Sequence, residues 1–433
     1  MRFKLYTAYF KRILKNFWSQ KSFKFAFLIQ IAFIIISFIL TFTITRYTQE
    51  NDFLVFYKSA EIFLKDFENL YDPIYGPAWE YRYLPLSPIL FIPFYITGFE
   101  IGFVLFTIIN CILNILICIL LFNIINLITP IDTESGKSKF TFYISLYLIG
   151  VPQLMNYFLG QVNLYITLLI LFSLYIFLKY DNIKWDFLGS LILGISVILK
   201  PITIFMIPFL ILMNINFRKK KFNFFIKRNL TRLIGAILPL LLNIIVFVVY
   251  PKLWNGFLDT NFTGSNPIDI NFSFSLTKII LNFFVFYSLN FNQTLIFLII
   301  LGIFGLSGFI IYIFRSPSTN SLIFGYTFGI LITFISYFEV WEHHLITLIP
   351  FLIIIVFILP DKSKIAKIFI KPSFYVYNFL NVVFLGIFIL TINFFPYNFG
   401  GTIFLVLNFY GLCRYCLVKS KNENDSILKK SMA

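Results

Sequence analysis

From Phe25 to Thr45 the chain runs, without one charged side chain, for about the 20 residues that a helix needs to cross a bilayer. A single run of this kind fits inside a soluble domain only if other segments cover it, and here the other segments are equally apolar. Ile101 to Ile128, Phe140 to Phe158, Asn163 to Lys179, Asn229 to Tyr250, Thr294 to Phe314, Asn320 to Phe338, Leu345 to Pro360, Phe374 to Phe394 and Gly400 to Val418 all read as span candidates. Soluble domains carry about 25% charged residues; this chain of 433 residues has 12%, too few to coat a water-facing surface of its size. The composition therefore predicts an all-α polytopic membrane protein and excludes a cytosolic enzyme, a disordered tail protein and a small disulfide scaffold. A formal charge of +16 would suggest nucleic acid in a soluble chain. In a membrane chain it is first a question of sidedness, because cytoplasmic loops collect Lys and Arg, and no nucleic-acid partner is expected.

The first 24 residues hold Arg2, Lys4, Lys11, Arg12, Lys15, Lys21 and Lys24. No small-residue cleavage site follows, so Phe25 to Thr45 reads as an uncleaved first span with its start in the cytoplasm. Two shorter pieces, Phe187 to Leu199 and Ile202 to Met213, meet at Lys200-Pro201 and read as half-spans. Leu84 to Thr97 is broken by Pro85, Pro88 and Pro93. Broken helices at membrane depth survive where protein or a wet cavity satisfies the freed backbone, and they often mark a site. Threading the pieces gives about twelve crossings with both termini inside, which puts 28 of the 35 Lys and Arg on the cytoplasmic side. The expected organisation is a basic start (1–24), a catalytic transmembrane module (25–217) with an extracytoplasmic loop at 46–83, a second module (218–418) with a loop at 251–277, and a basic, disordered cytoplasmic tail (419–433).

The cytoplasmic loops are short and basic, the pattern of anchors against an anionic leaflet. On the opposite side five segments converge: the acidic loop up to Tyr83, the Gly160-Gln161-Val162-Asn163 turn, Lys200, the loop after Pro251, and Glu339-Val340-Trp341-Glu342-His343-His344. Ionisable groups at membrane depth are functional by default. Lys200 either snorkels to water or an acid, or meets a phosphate as a compact point charge. After Asp52 the residues Phe53, Phe56, Tyr57, Ala60, Phe63, Leu64 and Phe67 recur at helical spacing, predicting a helix on the membrane surface with Asp52 as its N-cap. Asp72 before Pro73 reads as a turn residue. His343 and His344 are the only histidines; being adjacent, they point to different faces and lack the zinc-protease spacing. Contact with substrate or phosphate and a plain helix end are both open for them, and no metal ligand set is expected. Cys111, Cys118, Cys413 and Cys416 read as packing residues. Tyr71, Trp79, Tyr81, Tyr83 and Trp341 are candidates for stacking on a sugar.

Asp52 with Tyr57 and Ala60, then Leu70-Tyr71-Asp72-Pro73, then Tyr83-Leu84-Pro85, resembles the first-loop signature of the polyprenol-phosphate-mannose-dependent mannosyltransferases, glycosyltransferase family 87. Gly160-Gln161 with Asn163, and Lys200 in a hairpin containing Gly194, are similar to that family's middle motifs. The resemblance covers about residues 50–215; Leu84, where the family often has a small residue or proline, departs from it. The resemblance implies a GT-C-type bundle with surface helices in the first extracytoplasmic loop, and a polyprenyl-phosphate sugar as donor. It implies transfer of a hexose, mannose first, to a glycan or glycolipid hydroxyl at the outer face of the plasma membrane, with no cofactor. It places the catalytic carboxylate on Asp52, acting as base in an inverting attack. Lys200, Arg82, His343 and His344 would meet the donor phosphate. Tyr57, Tyr71, Tyr83, Gln161, Asn163 and Trp341 would meet sugar or acceptor. The rival readings are a transporter or lipid-linked sugar flippase, because broken helices and a buried cation also build transport sites, and a structural assembly subunit.

Overall fold

The computed structural model describes residues 2–44, 51–72, 80–131, 133–216, 221–263, 273–314, 321–359, 363–379 and 400–431. The expected stacking residue Trp79, the turn residue Pro73, residues 264–272 of the second loop and the span from Phe374 beyond residue 379 lie outside them.

The chain is helical nearly throughout. A basic helix α1 (Arg2–Ser19) breaks at Gln20 into α2 (Lys21–Thr43). The surface helix follows as α3 (Asp52–Lys65), and the proline-broken stretch forms a 3-10 turn, Ser87–Phe91, running into the short α4 (Ile92–Ile96). Then come α5 (Phe99–Ile128), α6 (Glu134–Ile149), α7 (Val151–Leu159), α8 (Asn163–Lys179) and α9 (Ile183–Leu199). After Lys200 a 3-10 helix, Pro201–Leu210, leads to the one departure from an all-α chain, an antiparallel hairpin of β1 (Met213–Asn216) and β2 (Lys221–Phe224). The second half holds α10 (Ile226–Val249), α11 (Pro251–Leu258), α12 (Leu276–Phe286), α13 (Gln293–Phe314), α14 (Ser321–Ser336), α15 (Leu345–Ile358) and α16 (Gly400–Ser431).

Four of these helices, α2, α5, α10 and α13, are long and apolar enough to cross a bilayer. The pair α6 and α7, bent by 41° at Gly150, makes a fifth if it is one broken span. The remaining apolar helices, α8, α14 and α15 among them, are shorter. Helices apolar on every side belong in an interior, and α14 is buried along its whole length while α15 is buried from Leu345 to Val356. These two form the centre, and the long helices wrap it, with apolar residues such as Ile35, Ile245, Val248 and Leu306 facing outward. Such a surface suits lipid, so the protein is an integral membrane protein.

The bend at Gly150 has a local cause. Pro152 has no N–H to give the Leu148 carbonyl, and Gln30 of α2 donates its side-chain amide to that oxygen instead. Asn114 of α5 completes the patch, donating to Gln30 Oε1 at 3.2 Å, to Gln153 Oε1 at 2.8 Å and to the Tyr157 hydroxyl at 3.0 Å. The irregular backbone after Lys200 is satisfied in the same way: Thr333 donates to the Ile202 carbonyl at 2.9 Å and Tyr312 to that of Phe209 at 2.7 Å. Helices α9 and α10 pack most closely, because Gly194 lies against the Ala236 carbonyl and Gly235 against Ser190.

Two expectations change. The last helix continues to Ser431, so the residues after Val418 extend a helix instead of forming a disordered tail. The buried face of α3 includes Val55 and Ile62 as well as Phe53, Phe56 and Ala60, while Leu64 is exposed.

Candidate active site

Four of the segments that the sequence brings together meet at one end of the bundle. Asp52 opens α3, but it is not the cap. Asn51 occupies that position, its Oδ1 accepting from the Phe53 N–H at 2.8 Å. An Asn one residue ahead of an Asp does the same capping chemistry without charge, and the Asp52 carboxylate is thereby left for other partners. It accepts a hydrogen bond from Gln161 Nε2.

Gln161 reaches Asp52 because α7 ends on Gly160, which adopts φ +66°. A side chain there would be strained by the left-handed backbone and would also press on Phe53 Cβ at 2.6 Å and Asn51 Oδ1 at 2.8 Å. Two residues on, Asn163 starts α8 and accepts from Lys200 Nζ at 2.5 Å. Lys200 is the C-cap of α9, held extended at φ −153°, and is only 6% exposed. Asp52 and Lys200 feel each other's charge, yet among the described residues neither makes an ion pair; each is held by an amide.

Burial pushes the Asp52 carboxyl up to about 6, with the Gln161 hydrogen bond and then the charges of Lys200 and Arg82 pulling the other way. His343 and His344 form a 3-10 turn, both buried, with ring centroids 4.3 Å apart. Burial first, and then the Lys200 charge, hold both well below the ordinary imidazole range, so both stay neutral. His344 Nδ1 accepts from the Trp341 N–H at 2.9 Å, which leaves its Nε2 to carry the ring proton. A contact from this pair to an anion is therefore a neutral hydrogen bond.

Arg82 lies within electrostatic reach of Asp52, but its Nη1 is on Glu339 Oε2 at 2.7 Å, tying the first loop to the segment that carries the histidines. Tyr83 senses the Asp52 charge and packs on Phe56 at 5.1 Å. Trp341 is half-buried at the start of the histidine turn.

Two residues expected to meet sugar are elsewhere. Tyr57 stands on another face of α3, its ring against Tyr95 at 5.3 Å and Phe99 at 5.6 Å; five residues from Asp52, it is rotated by about 140° around the helix at 3.6 residues per turn. Tyr71 packs in the separate apolar cluster with Tyr81 and Phe257, and its hydroxyl donates to the Tyr83 carbonyl at 2.6 Å. It holds the loop and does not face Asp52. Tyr81 is buried in the same cluster, bonded to Ser87.

Sequence reasoning missed Asn51, Glu339 as the partner of Arg82, and Asn156, whose Oδ1 faces Asn163 Nδ2 at 3.4 Å. Among the described residues, Gln161 Oε1, Asn156 Nδ2 and His343 Nδ1 are buried without hydrogen-bond partners. Buried polar groups are normally satisfied, so three orphans beside one carboxylate and one ammonium mark a place prepared for polar ligand atoms. The space is tight. The cavity lined by Lys200, Asn163, Thr203, Thr333, His344 and Thr347 measures about 10 Å³, room for about one water. A groove of about 490 Å³ between the ends of α2 and α5 is larger but is lined by Thr41, Phe42, Phe99, Glu100 and Val104, with none of the site residues. No cluster of three or more His, Cys, Asp or Glu side chains suited to a metal occurs among the described residues. All four cysteines are free.

Residues 81–336 match the family model of glycosyltransferase family 87. The matched stretch includes Arg82, Tyr83, Gln161, Asn163 and Lys200; it starts after Asp52 and stops before His343. No curated protein matches the chain.

Proposed function

The chain belongs to glycosyltransferase family 87 and is a membrane glycosyltransferase, and we propose that it moves a hexose, mannose first, from a polyprenyl phosphate to a hydroxyl of a glycan or glycolipid, with Asp52 as the base. The observation that carries this reading is the pairing of a desolvated carboxylate with a buried ammonium, each held by its own amide, at one end of the bundle. A transporter or an assembly subunit gives no reason to hold a carboxyl near 6.

A polyprenyl phosphate is already a good leaving group, so the enzyme needs no strong acid. Asp52 takes the acceptor proton as that oxygen attacks the anomeric carbon from the face opposite the phosphate, and configuration inverts. This differs from hydrolases, in which two carboxylates flank the bond. A carboxyl titrating near 6 is ionised at neutral pH and is a stronger base than an ordinary aspartate. Lys200 meets the negative charge that collects on the departing phosphate, a preorganised role that a water-poor site strengthens. Nε2–H of His344 adds a neutral donor. Gln161 Oε1 and Asn156 Nδ2, with no protein partner, suit hydroxyl groups of the sugar. Arg82 reaches the phosphate only by exchanging Glu339 for it, so donor entry into this packed site separates the first loop from the 339–344 segment.

The charge distribution supports a topology with both termini cytoplasmic, about twelve crossings and the site at the outer face of the plasma membrane. The test is purified full-length protein given polyprenyl-phosphate mannose or glucose with a glycolipid or oligosaccharide acceptor, scored for polyprenyl phosphate release. The reading expects release from one donor and none in Asp52→Asn. Transfer from a nucleotide sugar instead would overturn the lipid donor, and unchanged turnover in Asp52→Asn would remove the base.

A further inference from the structure

Every helix leaves N–H groups unpaired at its start and carbonyls unpaired at its end. The start of α3 and the end of α7 lie side by side, far apart along the chain, and one side chain serves both. Asn51 is 2% exposed. Its Oδ1 accepts from the Phe53 N–H at 2.8 Å, while its Nδ2 donates to the Phe158 carbonyl at 3.1 Å and toward Thr41 Oγ1 of α2 at 3.4 Å. The amide works in both directions, which neither a carboxylate nor an alanine can do.

The next residue along each segment is what matters chemically. Asn51 precedes Asp52, and Phe158 precedes the Gly160-Gln161 turn, so the Asn51–Phe158 bond and the Asp52–Gln161 bond are two rungs between the same two segments. Gly160 sits on the joint itself, since a Cβ there would touch Asn51 Oδ1 and Phe53 Cβ. From this geometry we infer that Asn51 is the positioning residue of the site: by capping α3 and α7 with one amide it sets where the Asp52 carboxylate stands relative to Gln161. The inference rests on the reading of Asp52 as the base. Asn51 itself is directed away from the reacting atoms, bonded to backbone and Thr41, and acts through its neighbours.

The experiment uses full-length protein in proteoliposomes with polyprenyl-phosphate mannose and a glycolipid acceptor, measuring kcat, donor KM and the thermal midpoint. Asn51→Ser keeps an acceptor for the Phe53 N–H and loses the donation to Phe158. A small displacement at a reacting centre costs about 100-fold, so kcat in Asn51→Ser is expected to fall by about that factor with donor KM within about twofold. Gly160→Ala, which pushes the joint from the other side, is expected to show the same split. Combining Asn51→Ser with Gln161→Ala loses no more kcat than the worse of the two, because both act on one carboxylate. Asn51→Ala may be left aside if it does not fold, since Asn51→Ser retains the cap. Wild-type kcat in Asn51→Ser at a lowered thermal midpoint, a loss carried wholly by KM, or full additivity with Gln161→Ala overturns the inference while leaving an inactive Asp52→Asn, and so the base, in place. Wild-type turnover in Asp52→Asn overturns both.

Discussion

Helix α9 has an ion cluster at each end, and the two are built in opposite ways. Near its start, Asp186 is fully buried and saturated: Arg232 Nη2 and Nε sit on Oδ1 at 2.6 and 2.8 Å, and Arg228 Nε on Oδ2 at 2.5 Å. Arg232 also donates to the Leu210 carbonyl at 3.2 Å and stacks over Phe177 at 4.4 Å, and Asn229 clasps the backbone N–H and carbonyl of Leu212. Just past its other end, Lys200 has one amide oxygen, and the nearby Asp52 one amide N–H. The same carboxylate and cation chemistry is thus closed at one end and left open at the other. A saturated buried cluster locks the α9–α10 pair and the hairpin behind it; an unsaturated one with a shifted carboxyl is what a catalytic centre requires.

The sharpest way to break this contrast is to neutralise both aspartates. Asp52→Asn is expected to lower kcat by about 10³-fold or more, within the range of lost base catalysis, with no fall in the thermal midpoint, because it removes a charge that burial disfavours. Asp186→Asn is expected to do the reverse. It leaves two arginines uncompensated, at a cost of about 3–5 kcal/mol, while each folded molecule keeps its kcat; loss of turnover in folded Asp186→Asn would dissolve the distinction. Next in size, Lys200→Gln should cost about 100-fold in kcat/KM, the usual scale for removing one preorganised donor to a developing anion. A steady-state comparison with wild type decides it.

The pH profile sharpens the contrast further. The base works ionised, so kcat/KM should fall on the acid side with a midpoint near 6, by about tenfold per pH unit well below it. The histidines, held neutral, should add no second limb above that point. The linkage has the opposite sign for folding: the raised carboxyl binds its proton more tightly folded than unfolded, so between its ordinary value of 3.8 and about 6 stability falls as pH rises. Asp52→Asn should flatten that part of the melting curve against pH. The smallest effects belong to the tyrosines. Tyr57→Phe and Tyr71→Phe should keep kcat within about threefold, with Tyr71→Phe losing about 1 kcal/mol of stability with its hydrogen bond to Tyr83.

Much of this was legible in the residues because membrane composition leaves few alternatives: uncharged runs became helices, and Gln161, Asn163 and Lys200, standing where apolar residues would be cheaper, proved to converge. What escaped was decided by competition between neighbours. Asn51 and Asp52 are both good caps, and the sequence does not say which one takes the Phe53 N–H. Helical spacing put Tyr57 on the buried side of α3 without saying that this side differs from the one Asp52 faces. Tyr71 and Arg82 are set by α11 and Glu339, whose proximity is purely tertiary. The α6–α7 bend was hidden for the same reason, since the amide that replaces the missing N–H of Pro152 comes from Gln30 on another helix.

The most direct test of the account is a single turnover on donor already bound: protein loaded with polyprenyl-phosphate mannose, mixed with acceptor, and followed for polyprenyl phosphate. The account predicts that Asp52→Asn loads as wild type does and then releases none on the wild-type timescale. Release at the wild-type rate would contradict it.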